Sequence, residues 1–260
     1  MNSIKYHITG IIKTLELLAK GNYLLFFIPG AVITLLFLWF RGGIFGLDEA
    51  FNLSSEYSWL DWLAGYANSG IHSFLGFISS LFEQLYIFIV LTALSPFNTL
   101  LGEKLDNKLT GTKFTGGLIR FVNDIIRMIF VVIIALVLEF GLMGIYYLFS
   151  WIFGLGFLDD YVYWTMSAFF FGFSFYDFSL ERYEKGVFST LGFAFRNPLS
   201  MILTGGIFLA IYAIPIAGVP IAPVVTVMIS AIVYLHITKA LPKKNEIKMN
   251  TEQIESNNNE

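Results

Sequence analysis

The stretch M-I-F-V-V-I-I-A-L-V-L-E-F-G-L-M-G-I-Y-Y-L-F-S-W-I-F, residues 128–153, decides the fold of this chain. Its one charged residue is Glu139, and it contains no proline. An α-helix needs about 20 mostly apolar residues to cross the hydrocarbon core of a bilayer. Because this segment exceeds that length, it predicts a membrane helix and argues against a soluble domain.

The composition of the whole chain agrees with a membrane class. Its 260 residues are 56% hydrophobic and 13% charged, with 28 phenylalanines and a mean hydropathy of +0.70. Long apolar segments recur at 23–40 and 74–101, as a polytopic helical protein requires. We therefore predict an all-α integral membrane protein.

Residues 1–241 are predicted to form one helical membrane domain, and the Lys-, Glu- and Asn-rich tail 242–260 to be disordered. The first element, 3–20, is an amphipathic helix that either lies flat on the inner leaflet or packs on protein. Its apolar stripe consists of Ile4, Ile8, Ile11, Leu15 and Leu18. The predicted membrane segments are 23–40, 74–101, 128–153, 161–177, 199–217 and 219–235.

The last four segments form two hairpins, and each hairpin either spans the membrane or re-enters it. The connection 102–127 between the second and third segments reads as a polar, basic loop with helical ends.

Basic residues are distributed asymmetrically between the predicted loops. All of the 16 lysines and arginines except Arg41 fall on one side if the two termini share that side. Basic residues mark cytoplasmic loops. This bias predicts cytoplasmic termini, with loops 41–73 and 154–160 outside.

Sequence signals of catalysis are missing. The chain has no cysteine, no phosphate-binding loop of the G-x-x-x-x-G-K-[ST] type and no G-x-S-x-G motif. Its histidines, His7, His72 and His236, are not at metal-ligand spacing. We predict a protein that is not an enzyme, with no cofactor, metal site or nucleic-acid partner.

Two acidic residues, Glu83 and Glu139, lie inside apolar segments. A charged carboxylate at the centre of a bilayer costs at least about 2.5 kcal/mol on insertion scales. Such residues indicate either a polar, proton-linked path or a hydrogen bond between helices or subunits. The spacing of Arg120 and Arg127 places both on one helical face, as an anion-attracting vestibule or as anchors to lipid headgroups.

Three blocks of sequence carry a family resemblance. The first is Ser95-Pro96-Phe97-Asn98, followed by Glu103-Lys104 and closed by Leu109-Thr110-Gly111. The second block, 175–182, contains Asp177 and Arg182, and Ser179 stands in it where the pattern of the family named below has a proline. The third block is Ile214-Pro215. These blocks resemble the CysZ-like sulfate permease family, which includes the eukaryotic etoposide-induced membrane proteins.

The resemblance implies an amphipathic first helix, two long transmembrane helices and two membrane-dipping helical hairpins. It also implies a transporter or channel for a small anion such as sulfate, in a bacterial inner membrane and as a homo-oligomer. The eukaryotic branch implies an alternative, a non-transporting scaffold or assembly factor.

One block departs from the family pattern. CysZ-like permeases carry Gly-Leu/Ile-Arg-Arg before the first transmembrane helix, where sulfate binds, and this chain has Gly21-Asn22-Tyr23-Leu24. The N–H groups of Gly21 and Asn22 are candidate anion ligands at a helix N-terminus. Lys20 is a candidate replacement for the missing guanidinium charge, although it cannot bind an oxyanion through the same two-pronged geometry.

Overall fold

The computed structural model describes residues 2–21, 23–44, 87–111 and 118–240, without the side chains of 37–44 and 118–121. In these ranges every regular element is a helix, and no strand occurs. Two of the helices are long and apolar enough to cross a membrane. The predicted fold class, an all-α membrane protein, is confirmed.

The helices are numbered here in chain order. They are α1 Asn2–Ala19, α2 Phe27–Ile44, α3 over residues 87–110, α4 Leu118–Phe153, α5 Asp159–Arg182, α6 Val187–Arg196, α7 Pro198–Tyr212 and α8 Gly218–Ile237. Short 3-10 turns, Leu24–Phe26 and Gly156–Leu158, precede α2 and α5.

Several elements differ in extent from the predicted segments. The segment 23–40 becomes α-helical only at Phe27, and α3 continues past Leu101 to residue 110. The helical ends predicted for 102–127 are therefore long, because buried Leu105 and Asp106 extend the packed face of α3. Residues 74–86 and the tail 242–260 lie outside the described residues.

The two candidate membrane-crossing helices are α4, over Val122–Phe153, and α8. The 32 residues of the first span roughly 48 Å, and the 20 residues of α8 about 30 Å, the thickness of a bilayer core. Helix α7 has 15 residues and is shorter than either of these helices. Helices α6 and α7 together are long and apolar enough to cross a membrane, but they meet at a bend of 100°.

The turn between α4 and α5 lies where the sequence predicts it. Gly154 adopts φ +65°, a conformation that favours glycine. Ser150 Oγ then donates a hydrogen bond to Asp159 Oδ1 at 2.7 Å, which ties the last turn of α4 to the first turn of α5.

Helix α5 is the centre of the bundle. Its residues from Ala168 to Leu180 are all buried, and it packs against α4, α6, α7 and α8. Gly172 and Gly205 bring the backbones of α5 and α7 together, because a Cβ at either position would overlap a carbonyl oxygen of the other helix. Small residues at helix interfaces are the usual means of close packing in membranes.

Helix α1 packs on protein through one face and exposes another. Its buried residues are His7, Gly10, Thr14 and Leu17. A Cβ at Gly10 would lie 3.3 Å from Val233 Cγ2 of α8. From the predicted apolar stripe, Ile4, Ile8 and Leu15 are exposed. One face of α1 therefore packs on protein, and contact of the exposed apolar stripe with the inner leaflet stays a prediction.

Helix α4 has one narrow buried face. Asp124, Met128, Val131, Ala135 and Glu139 are buried, at steps of three and four residues. The other faces carry exposed apolar side chains along the length of the helix, among them Phe130, Val137, Ile145 and Trp151. This pattern fits a helix with lipid or a second protein surface on most sides.

Replacing Gly172 with alanine tests the close contact between α5 and α7. The new methyl group would meet the Met201 backbone, so we expect a loss of about 1–3 kcal/mol in the free energy of unfolding, as for overpacked cores. Thermal unfolding of the detergent-solubilised protein measures it. The matched control is Gly141→Ala on α4, where no atom lies within 4 Å of the new Cβ. Equal stability of the two variants would contradict the packing described.

Candidate functional site: a buried charge network

Four charged residues from three helices pair at the end of the bundle where α3 and α5 end. They are Asp106 of α3, Arg127 of α4, and Asp177 and Arg182 of α5, called here the charge network. Each arginine is bound by one aspartate from another helix. The network therefore links α3, α4 and α5 through charge.

The pair Arg182–Asp106 is fully buried. Arg182 Nε donates to Asp106 Oδ2 at 2.8 Å, and both side chains are 0% exposed. Arg182 also donates to the Phe178 carbonyl oxygen and, at 3.3 Å, to Ser179 Oγ. Gly102 makes room for it, since a Cβ there would overlap the guanidinium.

Arg127 binds Asp177 through two parallel hydrogen bonds. Its Nε donates to Oδ2 at 2.9 Å and its Nη2 to Oδ1 at 2.7 Å. Nη2 also donates to the Lys185 carbonyl oxygen, and Thr190 Oγ1 donates to Asp177 Oδ1, both at 2.8 Å. This geometry is the strong, two-pronged form of an arginine–carboxylate pair. It fixes α4 to α5 and to the segment leading into α6.

A third carboxylate, Glu181, lies beside this pair and beyond the predicted segment 161–177. Its Oε2 is 3.8 Å from Arg127 Nε. Burial and the neighbouring Asp124 carboxylate raise the pKa of Glu181 to about 8, against the opposing effect of Arg127. Glu181 therefore binds its proton more tightly than an exposed glutamate does.

Glu139 occupies a separate position, in the apolar part of α4. Its side chain is fully buried, and Ser167 Oγ of α5 donates to its Oε1 at 2.7 Å. The carboxyl group thus faces the centre of the bundle. Glu83, the other predicted membrane acid, lies outside the described residues, so a cavity shared by the two stays a prediction.

Of the predicted anion ligands, the structure describes Lys20, Gly21 and the side chain of Arg127, and each has a partner within the protein. Lys20 is exposed and pairs with Glu16 at 3.1 Å. The Gly21 N–H donates to the Leu18 carbonyl oxygen at the end of α1. Asn22 and the side chain of Arg120 are not among the described parts of the chain. Anion binding at this group of residues stays a prediction.

Arg127 joins two helices through its side chain. That side chain is 19% exposed, and its guanidinium contacts Asp177 and the Lys185 carbonyl. It therefore holds α4 to α5, and its part in an anion vestibule or in anchoring to lipid headgroups stays a prediction.

The first motif block lies within α3. Pro96 and Asn98 are buried, Phe97 is partly exposed and Glu103 is half-buried. Because Pro96 has no N–H, the carbonyl four residues earlier lacks its helical donor, and the Asn98 amide is a candidate replacement. Its Nδ2 makes no hydrogen bond with the described residues.

Sequence reasoning did not single out Asp106 or Glu181 as site residues. Asp106 lies four residues after Gly102, so the two share one helical face. This spacing of a small residue and a carboxylate is the sequence signal that could have indicated Asp106 as a site residue. Glu181 is four residues from Asp177 and next to Arg182, so its position on α5 was visible but its neighbours on α4 were not.

No protein-family model matches the sequence, and no curated protein is significantly similar to it. The resemblance to the CysZ-like family therefore rests on the three motif blocks.

Removing one partner of the fully buried pair tests its importance. We expect Asp106→Asn or Arg182→Gln alone to lose about 3–5 kcal/mol of unfolding free energy, because each leaves an uncompensated buried charge. The double variant should lose clearly less than the sum. Unfolding in detergent measures all three, with Lys13→Gln on the exposed Lys13–Glu16 pair as a control that changes little. Additive losses would contradict direct coupling of the two residues.

Proposed function

We propose that this chain is a membrane transporter or channel for a small anion. The observation that carries the proposal is the environment of Glu139. Ionisable residues within membrane segments are expensive, face the bundle interior, and are functional candidates by default. Glu139 meets these conditions as a buried carboxyl on a long apolar helix.

The contact partner of Glu139 supports a polar path between α4 and α5. Ser167 donates to one carboxyl oxygen from within α5. The same stripe of α4 carries Asp124 and Arg127 towards its other end. Polar groups thus follow the α4–α5 interface, where a proton-accepting carboxyl could accompany an anion.

The nature of the solute and the membrane comes from the sequence. The CysZ-like resemblance favours sulfate, a bacterial inner membrane and a homo-oligomer. The one-sided distribution of basic residues favours cytoplasmic termini, with the charge network at the cytoplasmic end. In this orientation the α4–α5 turn faces outward.

A scaffold or assembly factor is the second candidate. The extensive exposed apolar surface of α4 favours it, because such a surface suits a neighbouring membrane helix as well as lipid. The pairing of Arg127 and Arg182 with aspartates inside the protein also fits a structural role for the two arginines.

Radiolabelled sulfate uptake into proteoliposomes tests the proposal. We expect uptake above empty vesicles and a loss of about tenfold in Glu139→Gln, since glutamine can still accept the Ser167 hydrogen bond but cannot bind and release a proton. Asp160→Asn, at an exposed position of the outer turn, is the matched control and should keep its uptake.

The outcomes separate the two candidates. Absence of uptake above empty vesicles rejects sulfate transport. A Glu139→Gln variant that changes only stability or partner capture favours the scaffold.

A further inference from the structure

Helix α6 has a buried side and an exposed apolar side. At about 3.6 residues per turn, successive side chains are about 100° apart around the helix axis. Thr190 and Ala194 lie about 40° apart and are buried against the bundle. Phe188 and Phe195 lie about 20° apart, and they are 79% and 54% exposed. Two large apolar rings therefore project together, away from the packed side of the helix.

A third side of α6 is polar. Ser189 and Arg196 lie about 20° apart, and their direction is roughly 100° from that of the two exposed phenylalanines. Both residues are exposed. A helix with separate apolar and polar exposed sides is typical of the membrane interface, where one side contacts acyl chains and another contacts water.

The orientation of α6 fits the plane of a membrane around the bundle. A Cβ at Gly172 would overlap Met201, and a Cβ at Gly205 would overlap Ala168. These contacts are four residues apart on both helices, so α7 runs antiparallel to α5. Helix α5 in turn packs along α4, a candidate membrane-crossing helix. Because α6 meets α7 at a bend of 100°, it lies across the bundle and parallel to the membrane plane.

The apolar side of α6 points towards the interior of that membrane. Thr190 Oγ1 donates to Asp177 Oδ1 at 2.8 Å, close to the C-terminal end of α5. The ring centroid of Phe195 is 5.3 Å from that of Phe169, which lies eight residues before Asp177 on the same helix. Eight residues correspond to about 12 Å along a helix. Phe195 therefore extends from the level of the charge network towards the middle of the bundle.

Basic residues lie at both ends of α6. Lys185 is in the turn that precedes the helix, Arg196 is its last residue, and both are exposed. Lysine and arginine at a membrane surface are attracted to the phosphates of anionic lipids. An apolar side between two cations thus matches acyl chains that lie beneath a layer of headgroups.

We propose that α6 is a membrane anchor, which lies in the leaflet at the end of the bundle that holds the charge network. Phe188 and Phe195 enter the acyl chains of this leaflet. Lys185 and Arg196 lie at the level of the headgroups, and Ser189 faces water.

The anchor has a consequence for the charge network. Thr190 binds Asp177 from the packed side of α6, and Asp177 in turn binds Arg127 of α4. Insertion of α6 into the leaflet therefore holds the Arg127–Asp177 pair at the boundary between membrane and water. This role does not depend on whether the chain transports a solute.

Spin labels on single cysteines test the anchor, since the chain has no native cysteine. Phe188→Cys, Ser189→Cys and Phe195→Cys each carry a nitroxide, in the full chain in nanodiscs of phosphatidylcholine and phosphatidylglycerol. Collision rates with oxygen and with a water-soluble nickel complex give the depth of each label. We expect depths of about 5–10 Å below the headgroup boundary at 188 and 195, and a label in water at the matched neighbour 189. Val137→Cys, on the exposed apolar face of α4, is the reference for acyl chains.

A further variant keeps the test decisive if the loss of a phenylalanine disturbs folding. Gly192→Cys is exposed, and no atom of the described residues lies within 4 Å of the new Cβ. Its direction is about 50° from both the apolar and the polar side of α6. We therefore expect its label to be deeper than the label at 189 and shallower than the label at 188.

Two results would overturn the proposal. Nickel collisions as frequent at 188 and 195 as at 189 would show that water surrounds the whole exposed surface of α6. Labels at 188 and 195 that are immobilised and shielded from both reagents would show that protein, such as a second copy of this chain, covers the apolar side. The order of depths predicted for 188, 192 and 189 supports the anchor, whatever the outcome of the uptake assay.

Discussion

The pairing of buried charges on α5 is the constraint on which the rest of the fold depends. Every residue of this helix from Ala168 to Leu180 is buried, and the helix carries Asp177 and Arg182 in the interior. An unpaired charge there would be strongly unfavourable, so each requires an opposite charge from a neighbouring helix. Asp106 and Arg127 meet that requirement and thereby fix the positions of α3 and α4 around α5.

The two ends of α5 therefore have different chemistry. Towards the α4–α5 turn, glycine-mediated contacts and aromatic rings pack it against α7, while Ser167 contacts Glu139. Towards the other end, charge pairs with directional hydrogen bonds replace apolar packing. Among the described residues, the buried Asp, Glu and Arg side chains thus lie at the α4–α5 interface and at this end of the bundle, and most of α4 remains available to lipid. A small-solute path at that interface is compatible with both features.

Features that depend on local pattern were predictable from the sequence. The end of α4 at Phe153, the turn that follows and the inward polar role of Glu139 all follow from apolar length and isolated charge. Features that depend on which helices meet were not. No feature of the sequence marks Arg182 as the partner of Asp106, because the two residues are 76 positions apart. The buried face of α1 was also hidden, because His7 and Thr14 are polar residues that pack inward beside Gly10.

The most direct test is the side of the membrane on which each end of α5 lies. The chain has no native cysteine, so single cysteines can be introduced without background. Phe157→Cys lies in the turn before α5 and Lys185→Cys in the turn after it, and both native side chains are exposed. With a membrane-impermeant thiol reagent, we expect intact cells to label position 157, and position 185 only after permeabilisation. Equal labelling of both positions in intact cells, or the reverse pattern, would contradict the account.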